Sequence, residues 1–189
     1  MFPTLISQIF EPMIGLGILF IMTTLRSGVT GFRFATLMIV FLLFMILPLI
    51  LIRFWAIRNK YITNWDVSNR IQRVRALLVL AVLLVFDYVI LQFFSTPYMQ
   101  QFFLFLLVSF FGFFLITLKF KISGHMWTAT LLICMFVYWY GWIMVPLFLM
   151  IPLIAWSRLM LKRHTVGEVI GGVVYSIMVF FLAGWLHLI

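Results

Sequence analysis

The 189-residue chain is too apolar for a water-soluble domain, since 66% of its residues are hydrophobic and 9% are charged, with a formal net charge of +9 at pH 7. A soluble fold needs many more charged residues to cover its surface. One membrane crossing uses about 20 apolar residues of helix, so the length allows six or seven crossings and little else. We expect an all-α fold, a polytopic transmembrane helix bundle of six or seven helices, forming one domain over residues 1–189.

Apolar stretches follow one another along the chain, separated by short joints that carry charges, glycine or proline. They cover residues 6–25, 34–57, 76–95, 98–118, 126–140, 142–156 and 167–188. No basic region precedes the first stretch and no small-residue cleavage site follows it, so we do not expect a removable signal peptide. Cys134 is the only cysteine and lies in an apolar stretch. We expect it to be a small buried side chain.

Residues 126–156 leave two alternatives open, because Tyr140-Gly141, Pro146 and Pro152 interrupt them. They form either one long kinked helix or two short spans. With two short spans, the polar segments 58–75, 119–125 and 157–168 all emerge on one face of the membrane. With one span, the third segment lies on the opposite face.

The positive charges favour convergence of these three segments. In or beside them lie 11 of the 13 Lys and Arg residues, namely Arg53, Arg58, Lys60, Arg70, Arg73, Arg75, Lys119, Lys121, Arg158, Lys162 and Arg163. Cytoplasmic loops of membrane proteins are enriched in Lys and Arg, which orients the helices. We therefore expect a multi-pass protein, of the cell membrane, with this face in the cytoplasm. Topology alone does not explain why two of the three histidines, His125 and His164, lie in the same loops.

The second polar segment has the character of an anion site. Ser123 and Gly124 precede His125 at the start of an apolar helix. The Ser123 hydroxyl and the unpaired backbone N–H groups near Gly124 can therefore face an anion, assisted by the helix dipole.

The third polar segment adds an arginine, a histidine and a carboxylate. Arg158 can hold two phosphate oxygens with its planar guanidinium group. His164 follows six residues later, also at the predicted start of a helix, and Glu168 follows His164 by four residues. On a helix this spacing places both side chains on one face. The carboxylate would fix the tautomer of the imidazole and stabilise its positive form.

In this order the motifs resemble those of the type 2 phosphatidic acid phosphatase superfamily, membrane lipid phosphate phosphatases that share an active-site plan with vanadium-dependent haloperoxidases. The second motif of that family is usually Pro-Ser-Gly-His, and here Ile122 replaces the proline. The third motif is matched by Ser157, Arg158 and His164, with Glu168 in place of the usual Asp. The third motif is the most specific part of the resemblance.

The first motif of the family departs further from the usual pattern. Its Lys, Arg and Pro align with Asp66, Arg73 and Val74, so only the arginine is kept. Arg70 lies one turn before Arg73 if this segment is helical, and there it would supply the cation that the missing Lys provides. Alternatively, Arg70 is a solvated loop charge. The resemblance covers about residues 60–175.

The resemblance implies a reaction for these residues. The histidine at position 164 attacks phosphorus to give a phosphohistidine, while the histidine at position 125 protonates the leaving oxygen and later activates water. Positive side chains stabilise the phosphoryl oxygens in the transition state. The expected catalytic residues are His164, His125 and Glu168, and the expected phosphate-binding residues are Arg73, Arg158, Ser123, Gly124 and Arg70.

We expect neither a metal nor another cofactor. The chain has four acidic residues, Glu11, Asp66, Asp87 and Glu168, and they do not cluster in the sequence as the oxygen ligands of Mg²⁺ would. Asp87 lies inside an apolar stretch. We expect its carboxyl group to form a hydrogen bond between helices.

A site at the bilayer surface suits a phosphate whose leaving group is a lipid, such as phosphatidic acid, phosphatidylglycerol phosphate or a polyprenyl phosphate or diphosphate. The expected partners are this lipid phosphate and the bilayer, with no nucleic acid and no obligate protein partner. Three alternatives to a phosphohydrolase stay open. They are a lipid phosphotransferase, a catalytically inactive protein that binds or transports lipid phosphates, and a structural membrane protein whose basic loops only set its topology.

Overall fold

The computed structural model describes residues 2–62, 67 and 69–189, and all regular secondary structure in this part of the chain is helical. The expected all-α class is therefore confirmed for the described residues. The helices are α1 (Phe2–Ile9), α2 (Pro12–Arg26), α3 (Gly31–Phe41), α4 (Leu47–Arg58), α5 (Arg70–Phe94), α6 (Pro97–Lys119), α7 (Gly124–Tyr140), α8 (Met150–Met160) and α9 (Val166–Trp185). A π-helical segment, Leu42–Ile46, joins α3 to α4, and a 3₁₀ segment, Gly141–Leu149, joins α7 to α8.

Six helical stretches of the described residues are long and apolar enough to cross a membrane. They are Phe2–Arg26, Gly31–Arg58, Arg70–Phe94, Pro97–Lys119, Gly124–Met160 and Val166–Trp185. Large apolar side chains cover their outer faces; Val82, Phe93 and Phe181, for example, are 70%, 77% and 68% exposed. Such surfaces suit a lipid surrounding, so the architecture is compatible with a multi-pass membrane protein.

The chain divides into two compact units, Met1–Phe20 with Phe120–His187 and Ile21–Lys119 with Leu188–Ile189. In the first unit α7 packs along α9, and α8 packs against α1, α7 and α9. In the second unit α5 packs against α6, α4 and the π-helical segment. The first stretch of the sequence is divided at Glu11, whose carboxylate accepts a 2.7 Å hydrogen bond from the Met13 N–H and so begins α2 as a separate helix.

Residues 124–160 form two arms that fold back on each other, which decides between the two alternatives for this region. A straight helix of this length would hold Met126 and Ile154 about 40 Å apart. Instead both belong to one buried cluster, and α7 contacts α8. Gly141, at the start of the 3₁₀ segment, has a φ of 74°, a left-handed conformation that favours glycine. The chain path is therefore that of two segments, and the single kinked helix is wrong; that each of the two segments spans the membrane stays a prediction.

The first turns of α9 lie unusually close to the start of α7. A Cβ atom at Gly172 would be 2.7 Å from the Ser123 carbonyl oxygen and 2.9 Å from the Met126 Cβ atom. One turn later, the Ser176 hydroxyl donates a 2.8 Å hydrogen bond to the Trp127 carbonyl oxygen. The absence of a side chain at Gly172 thus allows α9 to hold the segment Ser123–His125 in place.

Asp87 is buried in α5, with 2% of its surface exposed. Neither of its carboxylate oxygens has a hydrogen-bond partner among the residues that the structure describes. The expected hydrogen bond between helices is therefore not formed in this part of the chain.

We predict that Gly172→Ala lowers the free energy of unfolding by about 1–3 kcal/mol, because the added methyl group meets a backbone carbonyl that cannot move aside without shifting α7. Thermal unfolding in detergent measures this change. Gly184→Ala is the matched control in the same helix, since its methyl group would have no atom within 4 Å. Equal melting temperatures for the two variants would contradict the close packing described for α9.

Candidate functional site

The start of α7 places a serine cap beside a buried histidine. Ser123 is the N-cap residue of α7, and its Oγ accepts a hydrogen bond of 3.4 Å from the Met126 N–H. This confirms the predicted helix start, but the Ser123 oxygen faces its own helix rather than open space. The Ser123 N–H donates to the Glu168 carbonyl oxygen at 2.9 Å. His125, in the first turn, is 6% exposed.

The end of α8 places Arg158 inside the first unit, where it is 1% exposed. Beyond it the chain turns sharply: the Lys162 N–H donates to the Leu159 carbonyl oxygen at 2.9 Å, and the Arg163 N–H donates to the Arg158 carbonyl oxygen at 3.2 Å. Lys162 has a φ of 51°. These are the two hydrogen bonds and the left-handed residue of a Schellman motif. The turn reverses the chain, so the loop that carries His164 starts beside Arg158.

Ser7 of α1 contacts both Arg158 and His125, although it is far from each in the sequence. The Arg158 Nη1 atom donates to the Ser7 Oγ, and the His125 Nε2 atom lies 3.2 Å from the Ser7 carbonyl oxygen. A carbonyl oxygen can only accept, so the hydrogen in this contact lies on His125 Nε2. The ends of the two arms therefore converge on one buried residue, which is 7% exposed.

His164 and Glu168 form the contact that their spacing predicts, but through a different geometry. His164 does not lie in α9, because Thr165 is the N-cap residue and the helix begins at Val166. Glu168 and Thr165 form a capping box, which turns the carboxylate back across the start of the helix. The Glu168 Oε2 atom consequently lies 2.6 Å from His164 Nδ1. The side chain of His164 is 1% exposed.

Lys121, in the loop before α7, also contacts Glu168. Its Nζ atom lies 3.4 Å from Glu168 Oε2 and donates a 3.0 Å hydrogen bond to the Arg163 carbonyl oxygen. Both charged side chains are mostly buried, with 18% of Lys121 and 16% of Glu168 exposed. One carboxylate thus contacts an ammonium group, an imidazole and the backbone of the capping box.

Arg70 and Arg73 belong to the second unit. Arg70 begins α5, one turn before Arg73 as predicted, and its Nη1 atom donates to the Lys119 carbonyl oxygen at 3.1 Å. Arg73 is 8% exposed, and its Nε atom donates to the Val67 carbonyl oxygen at 3.4 Å. The aligned Asp66 lies outside the described residues.

The first unit brings together six of the eight predicted site residues, namely Ser123, Gly124, His125, Arg158, His164 and Glu168. Sequence reasoning missed Thr165, Lys121 and Ser7. The pattern of Thr165 followed three residues later by Glu168 was a visible signal for a capping box. In the sequence Lys121 is only one of the basic loop residues, and no pattern marks Ser7.

Comparisons of the chain with protein-family models, with curated proteins and with solved structures find no match. Among the described residues, no group of three or more His, Cys, Asp or Glu side chains is arranged to hold a metal ion.

We predict that Lys121 and Glu168 are energetically coupled. Lys121→Met and Glu168→Gln should each lower the free energy of unfolding, and in the double variant the second change should cost about 1 kcal/mol less than it does alone. Denaturant unfolding of the two single variants and the double variant measures this coupling.

The exposed Lys162 lies in the loop before Glu168 and provides the control. Lys162→Met combined with Glu168→Gln should be additive. Additive effects of Lys121→Met and Glu168→Gln would show that the ion pair contributes nothing to stability.

Proposed function

We propose that this protein is a metal-independent lipid phosphate phosphohydrolase that works through a phosphohistidine on His164. The observation that carries the proposal is the 2.6 Å contact between His164 Nδ1 and Glu168 Oε2. A carboxylate accepts the hydrogen on Nδ1, so in this tautomer the ring lone pair, which would attack phosphorus, lies on Nε2. Lys121 supports this arrangement, because its ammonium group lies 3.4 Å from the Glu168 Oε2 atom and helps to hold the carboxylate against His164.

The second histidine, His125, has its ring hydrogen on Nε2, whereas His164 has its ring hydrogen on Nδ1. Its Nε2–H faces a carbonyl oxygen, so His125 presents a donor to the site whereas His164 presents a lone pair. A phosphoryl transfer to a histidine needs this pair, one base that attacks and one acid that protonates the leaving oxygen. The two histidines thus support the roles that the family resemblance implies for them.

The reaction then has two balanced steps. In the first, the His164 Nε2 lone pair forms a bond to phosphorus, and the bond from phosphorus to the lipid oxygen breaks. His125, as the imidazolium, passes its Nε2 proton to that oxygen and becomes neutral. In the second, water loses a proton to His125 and attacks phosphorus, the P–N bond breaks, and phosphate leaves. Arg158 stabilises the phosphoryl oxygens. The resemblance assigns Arg73 and Arg70 to the same task.

The substrate we propose is a lipid phosphate or diphosphate, of the phosphatidic acid or polyprenyl diphosphate class. Six helices with apolar outer faces support a location in the bilayer. There a lipid leaving group can stay among acyl chains while its phosphate reaches the ends of the helices. The bias of Lys and Arg along the chain supports a cytoplasmic position for these ends.

A second candidate function is the binding or transport of lipid phosphates without hydrolysis. One observation favours it: Ser7 already accepts hydrogen bonds from both Arg158 and His125, the two donors that a reacting phosphate would need. The departures from the family motifs, including Ile122 and Glu168, point the same way.

We predict that the purified protein, in detergent with EDTA, releases free phosphate from phosphatidic acid or from a polyprenyl diphosphate. His164→Ala should lower this rate by at least about a thousandfold, because it removes the nucleophile. His187→Ala is the matched control, since this third histidine is exposed near the end of α9, and it should keep the wild-type rate.

Retention of activity by folded His164→Ala protein would contradict the proposed role of His164. Transfer of the phosphoryl group to an added alcohol, with no free phosphate, would identify a phosphotransferase. No turnover of either lipid by folded wild-type protein, together with binding of vanadate, would favour the second candidate.

A further inference from the structure

The first helix, α1, covers the candidate site through contacts along its length. The Ser157 hydroxyl donates a 2.6 Å hydrogen bond to the Pro3 carbonyl oxygen, and the rings of Phe2 and Trp156 lie 6.0 Å apart between centroids. Ile6 belongs to the buried cluster that α7, α8 and α9 share. These contacts place Ser7 against His125 and Arg158.

Ser7 presents oxygen atoms to Arg158 and His125, as a phosphate substrate would. Under the proposed function, Arg158 donates to a phosphoryl oxygen and His125 donates to the leaving oxygen, and both oxygens are bonded to one phosphorus atom. In the structure the same two donors meet two oxygens of one residue, the Ser7 hydroxyl and the Ser7 carbonyl. The Nε2–H of His125 is a single donor, so a leaving oxygen cannot accept from it while the Ser7 carbonyl oxygen does.

We propose that Ser7 occupies the position of the phosphoryl group and that α1 is a lid, which must move away before the lipid phosphate binds. This inference rests on the proposed function and adds to it a closed state and a route of access. The occupant that displaces Ser7 is the phosphate of a membrane lipid.

The junction of α1 with α2 is built so that α1 can move by itself. Glu11 caps α2 through the Met13 N–H, and Pro12 has no N–H to pair with α1. Hydrogen bonds of α2 therefore stay intact when α1 swings about residues 10–11. Movement of a short helix about such a junction is a usual form of lid opening.

The outward face of α1 supports a lipid as the ligand that enters. Phe2, Leu5 and Ile9 follow one another along this face and are 60%, 53% and 53% exposed. In a bilayer these side chains contact acyl chains. A lipid that approaches from the bilayer meets α1 before it reaches the buried donors.

A reversible cross-link between α1 and α8 tests the lid directly. We introduce Phe2→Cys and Trp156→Cys together with Cys134→Ala, which removes the only native cysteine. A short, reducible bis-thiosulfonate reagent then ties the two helices. Phosphate release should fall at least about tenfold on cross-linking and return on reduction. The two single-cysteine proteins, treated with the same reagent, control for modification alone.

Full activity of the cross-linked protein would overturn the lid, because α1 would then not need to move. The activity of the reduced protein reports separately on the proposed function. If the reduced protein releases no phosphate, the lid is judged from the binding of vanadate, which requires no turnover.

Ser7→Ala provides that binding test, because it removes the hydroxyl that accepts from Arg158 and keeps the backbone carbonyl. Weakening the closed state raises the fraction of protein that can bind, so the Kd for inorganic vanadate should fall by about threefold to tenfold. A higher Kd in Ser7→Ala would overturn the lid and make Ser7 a ligand of the phosphate. Absence of vanadate binding in both proteins would overturn the lid and the proposed function together.

Discussion

One carboxylate links the separate parts of the candidate site. Glu168 caps α9 through Thr165, holds His164 through Nδ1 and contacts the ammonium group of Lys121. Its backbone carbonyl also accepts from Ser123, which begins α7. Ser123 and Glu168, which are 45 residues apart in the sequence, are thereby fixed to each other. The orientation of the imidazole follows from the capping box at the start of α9. A mobile loop could not fix the orientation of a side chain in this way.

The reversal of the chain between α7 and α8 is the second constraint, because it returns Arg158 to the end of the unit that holds His125. Helix dipoles and caps then act together at these ends: α7 and α9 both begin there, with Ser123 and Thr165 as N-caps. The positive ends of two helices and a buried arginine make this a region that favours an anion. The apolar outer faces of the helices suit an anion attached to a lipid.

The sequence predicted the helical class and the approximate limits of the apolar helices, because hydrophobic length is a local property. It also predicted the contact of His164 with Glu168, although the geometry is a capping box before α9 rather than one face of a helix. It left the fold-back at Gly141 undecided, since glycine and proline produce either a kink or a reversal. The contacts of Ser7 could not be predicted, because they depend on how α1 packs against α8.

The most direct test of the proposed function is to trap the phosphohistidine that it requires. The purified protein is mixed with a lipid phosphate that carries a radiolabelled phosphoryl group, quenched within the first turnover and digested into peptides. If His164 is the nucleophile, the label lies on the peptide that contains His164, is stable in base and labile in acid, and is absent from His164→Ala. Release of phosphate without labelled protein, or label on another residue, would contradict this role of His164.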